Sequence, residues 1–180
     1  MLTYEDYAAF PDDGHRYQLL EGELIVMPSV STWHQEVSLE IMCSLLPYAR
    51  QHDLGELFHA PLDVTLDDHN VVQPDIFFIS KARAGILQDG RIIGAPDLCV
   101  EILSPGTEHL DRVRKLELYA RFGITHYWIV DLDTRTIEEY ALAGDVYRAR
   151  SITAYDAPFR PVALPGFEFR LSVVGLPDGA

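Results

Sequence analysis

The chain has 180 residues, 48% of them hydrophobic and 11% aromatic, and a formal net charge of −14. That length predicts one domain over residues 1–180 with a sizeable core, and the composition excludes a disordered chain. The acidic balance excludes broad non-specific affinity for DNA, which rests on lysines and arginines neutralising phosphates; a nucleic-acid partner then needs a local basic patch, a metal ion or another protein.

The start, MLTYEDY, is acidic and lacks the apolar stretch of a signal peptide. No apolar run approaches the ~18 residues of a membrane helix. Both predict a cytoplasmic protein with no membrane contact. Cys43 and Cys99 lie in apolar runs and are expected to be buried free thiols. No cysteine pair has zinc-site spacing.

Thr3 and Asp6 form a capping-box pattern for a short helix to about Phe10. Residues Tyr17 to Met27 read as two strands around a tight turn at Glu21-Gly22. Thr32 with Gln35 predicts a second capping box, opening a helix to about Gln51. Val37, Ile41, Leu45 and Ala49 form its core stripe, and Pro47 predicts a kink or an early end.

Leu57 to Leu66 reads as one strand and Val71 to Ser80 as the next. Pro74 interrupts the second, so a bulge or edge is expected beside Asp75. A surface connection follows from Lys81 to Pro96. Leu98 to Leu103 is short and almost continuously apolar, which predicts a central strand. Thr107 to Phe122 reads as a helix ended by Gly123. A strand from Thr125 to Asp131, a hairpin of Thr136–Leu142 with Val146–Ile152, and a last strand near Phe167 to Val173 complete the chain.

Three charged residues stand in apolar frames: Asp75 in VVQPDIFFI, Glu101 in LCVEILSP and Lys115 in RKLELYARFG. With Leu110 at zero and about 100° per residue, Lys115 falls near 140°, within the arc of Leu116, Leu118, Tyr119 and Phe122. Burying a charge without partners is costly. Blander readings exist for two of them. Lys115 can snorkel to water or pair with Asp111 one turn earlier, and Asp75 can face water at a strand edge. Glu101 fits a bland reading least, because an isolated glutamate is rarely buried. Two neighbouring carboxylates repel, a divalent cation relieves this, and oxygen ligands suit Mg²⁺ or Mn²⁺. Two acids and a lysine together are what metal-dependent phosphodiester hydrolysis requires.

The segments YQLLEGELIVMP, HAPLDV, VVQPDIFF, GAPDLCVEILSP, DRVRKLELYARFGITHYWIVD and LPGFEF resemble the Uma-type restriction endonucleases of the PD-(D/E)XK nuclease superfamily, over about Tyr17 to Leu171. The resemblance implies an α/β (α+β) domain with a restriction-endonuclease-like core: a mixed curved sheet flanked by helices, with additional C-terminal strands. It implies an endonuclease acting on nucleic acid, DNA foremost. Asp75 matches the first acid and Glu101 the second, and with the Ile102 carbonyl they would hold Mg²⁺ or Mn²⁺. The superfamily's usual lysine position, two residues after the second acid, is Leu103 here. Lys115 matches the lysine that this family carries on the following helix. Glu21 matches an acidic position of the N-terminal hairpin, as a fourth site member or as a turn residue.

His34 opens a helix, as a capping or surface residue or facing the same cleft. Asp131 and His126 read as structural, and the remaining histidines lack metal-ligand spacing. Two other functions fit the same residues: a non-catalytic nucleic-acid-binding or regulatory module on a nuclease fold, and a protein–protein interaction domain. Tyr140, Tyr147, Tyr155, Phe159, Phe167 and Phe169 in the C-terminal part predict a homodimer or larger oligomer, unless they close the core.

Overall fold

The computed structural model describes residues 1–11 and 13–172. In chain order its elements begin α1 (Tyr4–Ala8), β1 (Arg16–Leu20), β2 (Glu23–Met27), α2 (Thr32–Gln51), β3 (Gly55–His59), β4 (Val64–Asp67), β5 (Asn70–Val72) and β6 (Ile76–Ser80). They continue with a 3₁₀ turn (Lys81–Ile86), β7 (Leu87–Gln88), β8 (Arg91–Ile93), β9 (Leu98–Ile102), a π-helical segment (Leu110–Lys115), α3 (Leu116–Arg121), β10 (His126–Asp131), β11 (Thr136–Ala143) and β12 (Val146–Ala154). Two mixed six-stranded sheets result, ordered β2-β1-β5-β4-β8-β7 and β12-β11-β10-β9-β6-β3. Among the described residues, no helix is long and apolar enough to cross a membrane.

The short N-terminal helix keeps its capping box, with Thr3 and Asp6 bonded to each other's backbone. The hairpin of β1 and β2 closes on Glu21 (φ 54°) and Gly22 (φ 73°). Two consecutive positive φ values match the right-handed twist of the strands. A Cβ at Gly22 would meet the Met1 side chain at 2.0 Å. The second helix is capped by Ser31 rather than Thr32, because the Ser31 side chain takes the N–H of His34. The helix continues past Pro47 to Gln51.

Two expected strands are each split between the sheets. Leu57 to Leu66 becomes β3 and β4, with Pro61 in the break; Val71 to Ser80 becomes β5 and β6, with Pro74 in the break. Proline donates nothing to a ladder, so pairing stops there and the chain crosses to the other sheet. Asp75 sits at the second crossing. The strand Leu98–Ile102 is fully buried between β10 and β6, as its apolar run predicts.

The second sheet carries a core on each face. Val37, Ile41, Leu45 and Ala49 of α2 pack on Ile76, Phe78, Leu98, Val100, Ile102, Trp128 and Val130. Leu118 and Tyr119 of α3 pack on Phe77, Cys99, Tyr127 and Ile129, with Leu20, Val64 and Val72 of the first sheet. Each such side chain contributes about 1.5–3 kcal/mol on burial. Tyr155, Phe159, Phe167 and Phe169 close the first core, and Tyr140 and Tyr147 pack against the second. The aromatics are therefore core residues and carry no argument for a dimer. Phe169 makes an isolated bridge to Phe159 in place of the expected last strand, and Val173 lies outside the described residues. Cys99 is buried, but Cys43 is exposed because it points away from the core stripe of its helix.

Candidate active site

Strand alternation sets the site. Leu98, Val100 and Ile102 point toward α2, and Glu101 points the other way, toward the helical layer. There Lys115 Nζ lies 2.8 Å from Glu101 Oε2, and the Tyr119 hydroxyl donates to Oε1 at 2.7 Å. Asp111, four residues before Lys115, brings Oδ1 to 3.0 Å from the same Nζ. Asp111 and Lys115 belong to the π-helical segment, and Tyr119 to α3. Single π turns inside helices concentrate at functional sites. Lys115 is 1% exposed, so its ammonium does not snorkel.

Asp75 enters from the crossing between the sheets. Its Oδ2 accepts the Ile102 N–H at 2.8 Å and lies 3.1 Å from His34 Nε2. His34 is buried at the start of α2, held by the Ser31 cap. Asp75, Glu101, Ile102, Lys115, His34 and Asp111 all line one small cleft, walled by Arg16 and Gln18 of β1.

Glu21 stands apart. It is exposed at the tip of the first hairpin and pairs with Arg121 at 2.9 Å. Its place in the turn comes from its positive φ, and it does not line this cleft. Asp131 pairs with Arg112 and caps the turn after β10 through the N–H groups of Asp133 and Thr134.

Asp111 and Tyr119 are the residues that sequence reasoning passed over as members of the site. The helical wheel held a signal for the first: Asp111 falls near 100°, inside the same arc as Lys115. Tyr119 read as one more apolar residue. Only the position of Glu101 shows what its hydroxyl meets.

Burial raises the Glu101 pKa from its ordinary 4.5 to about 8. Lys115 opposes that shift, while Asp111 and Asp75 add to it. Burial also works against the Lys115 charge, but Asp111 and then Glu101 outweigh it and raise the lysine pKa. We take the lysine as permanently protonated and shared between two acids. Three carboxylates thus meet one ammonium in a buried cleft. Four of the buried side-chain atoms that lack hydrogen-bond partners line it: Gln18 Oε1, Gln73 Oε1, His34 Nδ1 and Asp111 Oδ1. Asp111 Oδ1 contacts Lys115 as an ion pair only.

No group of three or more His, Cys, Asp or Glu among the described residues is arranged to enclose a metal ion. The donor set still fits Mg²⁺ or Mn²⁺. Mg²⁺ keeps several of its waters and needs only one or two protein carboxylates. Unpartnered acceptors at Gln18 and Gln73 suit the hydrogens of such waters.

A family model for Uma2, described as "Putative restriction endonuclease", matches residues 4–173. The chain belongs to the Uma2 family. Among solved structures it is similar to a "putative nuclease belonging to DUF820" from Anabaena variabilis ATCC 29413, with a TM-score of 0.77 and 21% identity, over 95% of this chain and 96% of that one. At that identity the likeness shows the fold, which is the nuclease-like mixed α+β architecture described above. No curated protein matches the chain.

Proposed function

We propose that this Uma2-family chain is a metal-dependent endonuclease that hydrolyses phosphodiester bonds of nucleic acid, DNA foremost. The observation that carries the reading is the convergence of three acids, Asp75, Glu101 and Asp111, around the single buried ammonium of Lys115, in a pocket of unpartnered polar atoms with Arg16 at its rim. A buried cluster of that sign calls for a cation.

Asp75 and Glu101, with the Ile102 carbonyl, would hold Mg²⁺ or Mn²⁺. When bound, such an ion supplies an activated water and stabilises charge developing on phosphate. The protein's own groups do the rest. Lys115 keeps its proton, so it serves as a fixed positive charge beside the reacting phosphate rather than as a base. Asp111 maintains that charge and fixes Nζ in place. Tyr119 orients Glu101, and His34 with the Ile102 N–H orients Asp75. Apart from Asp75, which sits in the crossing directly before β6, these residues come from strands and packed helices, which hold a site more closely than loops do.

The test is direct. Single- and double-stranded DNA and RNA are incubated with purified protein and Mn²⁺, beside Asp75→Ala. The proposal expects Mn²⁺-dependent cleavage of at least one substrate, lost in the variant. Binding of nucleic acid without cleavage, equal with and without metal, would instead favour a binding module on a nuclease fold.

A further inference from the structure

Lys115 and the arginines of the helical segment that carries it are neutralised by the protein itself. Lys115 lies between Glu101 and Asp111. Arg112 is held by Glu108, Asp131 and Glu138. Arg114 pairs with Glu23 and Arg121 with Glu21. Arg16 differs. It lines the cleft from β1, half-buried, and among the described residues its guanidinium bonds only to the Pro28 carbonyl, at 3.1 Å. No carboxylate pairs with it among the described residues.

Its setting is built. Arg16 is paired in register with Met27 across the β1–β2 hairpin, and Pro28 follows directly. The carbonyl contact therefore restrains the guanidinium at the rim. Gln18, two residues on, projects from the same face of β1 and leaves a buried amide oxygen unpartnered in the cleft. Arg16 and Gln18 thus line the same cleft as the buried acids. In a chain of net charge −14, an uncompensated guanidinium there has an outsized local effect.

The geometry points to Arg16 as a substrate-binding residue that grips a backbone phosphate of the nucleic acid at the mouth of the cleft. The planar fork of arginine matches two phosphate oxygens at once, and charge-assisted bonds of this kind are the strong ones. The phosphate sets the register of the strand and leaves its sequence unread. Arg16 is not a catalytic residue: Lys115 carries the charge at the reacting centre. The inference rests on the nuclease reading above.

The test measures equilibrium binding of labelled single- and double-stranded oligonucleotides over a series of KCl concentrations, with Ca²⁺ replacing Mn²⁺ to hold cleavage back. Wild type, Arg16→Gln and Arg16→Lys are compared. Arg16→Gln is expected to weaken binding about tenfold across sequences and to lower the slope of log K against log salt by about 1. Arg16→Lys should restore the slope and part of the affinity. The Mn²⁺-induced thermal shift should match wild type in both. Wild-type affinity and slope in Arg16→Gln would overturn the role of Arg16 and leave the nuclease reading standing. A reduced Mn²⁺ shift in Arg16→Gln would overturn it too, since the residue would then be shaping the acidic site. No oligonucleotide binding by wild type would overturn both.

Discussion

Lys115 Nζ sits 2.8 Å from Glu101 Oε2, with both side chains at most 4% exposed. The pair is buried but not balanced, because Asp111 and Asp75 stand on the same side. Its two partners respond in opposite ways. Lys115 holds its proton more tightly, and Glu101 ionises with more difficulty.

The first prediction follows from the sign of the Glu101 shift. Its pKa rises from 4.5 unfolded to about 8 folded, because burial disfavours the charge. The folded state then binds more protons than the unfolded state between these values. The stabilising contribution is complete below pH 4.5 and is lost as pH climbs through about 8. Relative to Glu101→Gln, metal-free wild type should lose stability steadily across this window, by at most about 1.4 kcal/mol per pH unit for one proton. Urea titrations of both proteins at several pH values measure the difference. Parallel pH profiles would show that Lys115 fully neutralises the acid.

Tyr119→Phe removes one hydroxyl and keeps the ring. The hydroxyl bonds a buried carboxylate oxygen at 2.7 Å, so the change should cost about 1.5–3 kcal/mol. The fold should persist, because the ring still packs edge-on against Tyr127. Any cleavage rate should fall with it, because Glu101 loses one of its two holders. A loss below about 0.5 kcal/mol in denaturant titration would mean that water replaces the hydroxyl.

Lys115→Met leaves Glu101 and Asp111 facing each other without a cation. Breaking a buried pair in this way costs about 3–5 kcal/mol. The loss should be largest at neutral pH and shrink in mild acid, where the carboxylates take up protons. Mn²⁺ should recover at least as much stability in this variant as in wild type, because a repelling charge is gone. Cleavage should still be absent.

How far the sequence revealed the site depends on the residue. Asp75, Glu101 and Lys115 were visible because each interrupts an apolar run, and the structure places all three on one cleft. The hairpin at Glu21-Gly22 was legible from its turn chemistry, and the central strand Leu98–Ile102 from its almost continuous apolar run. The two sheets were not. Pro74 signalled a break in pairing and Pro61 went unread, and no local pattern tells a bulge from a crossing to another sheet. Glu21 matched a family position, yet its side chain points to Arg121 at the surface. The π-helical turn was equally hidden, since the apolar spacing of that segment reads as an ordinary helix. His34 was open between cap, surface and cleft, and only tertiary packing sets it against Asp75.

The central claim is that the acidic cleft is completed by a divalent cation. A thermal melt of wild type, Glu101→Gln and Lys115→Met with rising Mn²⁺ tests it most directly. Ligand that binds only the folded form adds about 2.7 kcal/mol at a hundredfold excess over Kd. Wild type should therefore gain stability progressively, Glu101→Gln should lose most of that gain, and Lys115→Met should keep or exceed it. No shift of wild type at millimolar Mn²⁺, or an equal shift in Glu101→Gln, would contradict the account.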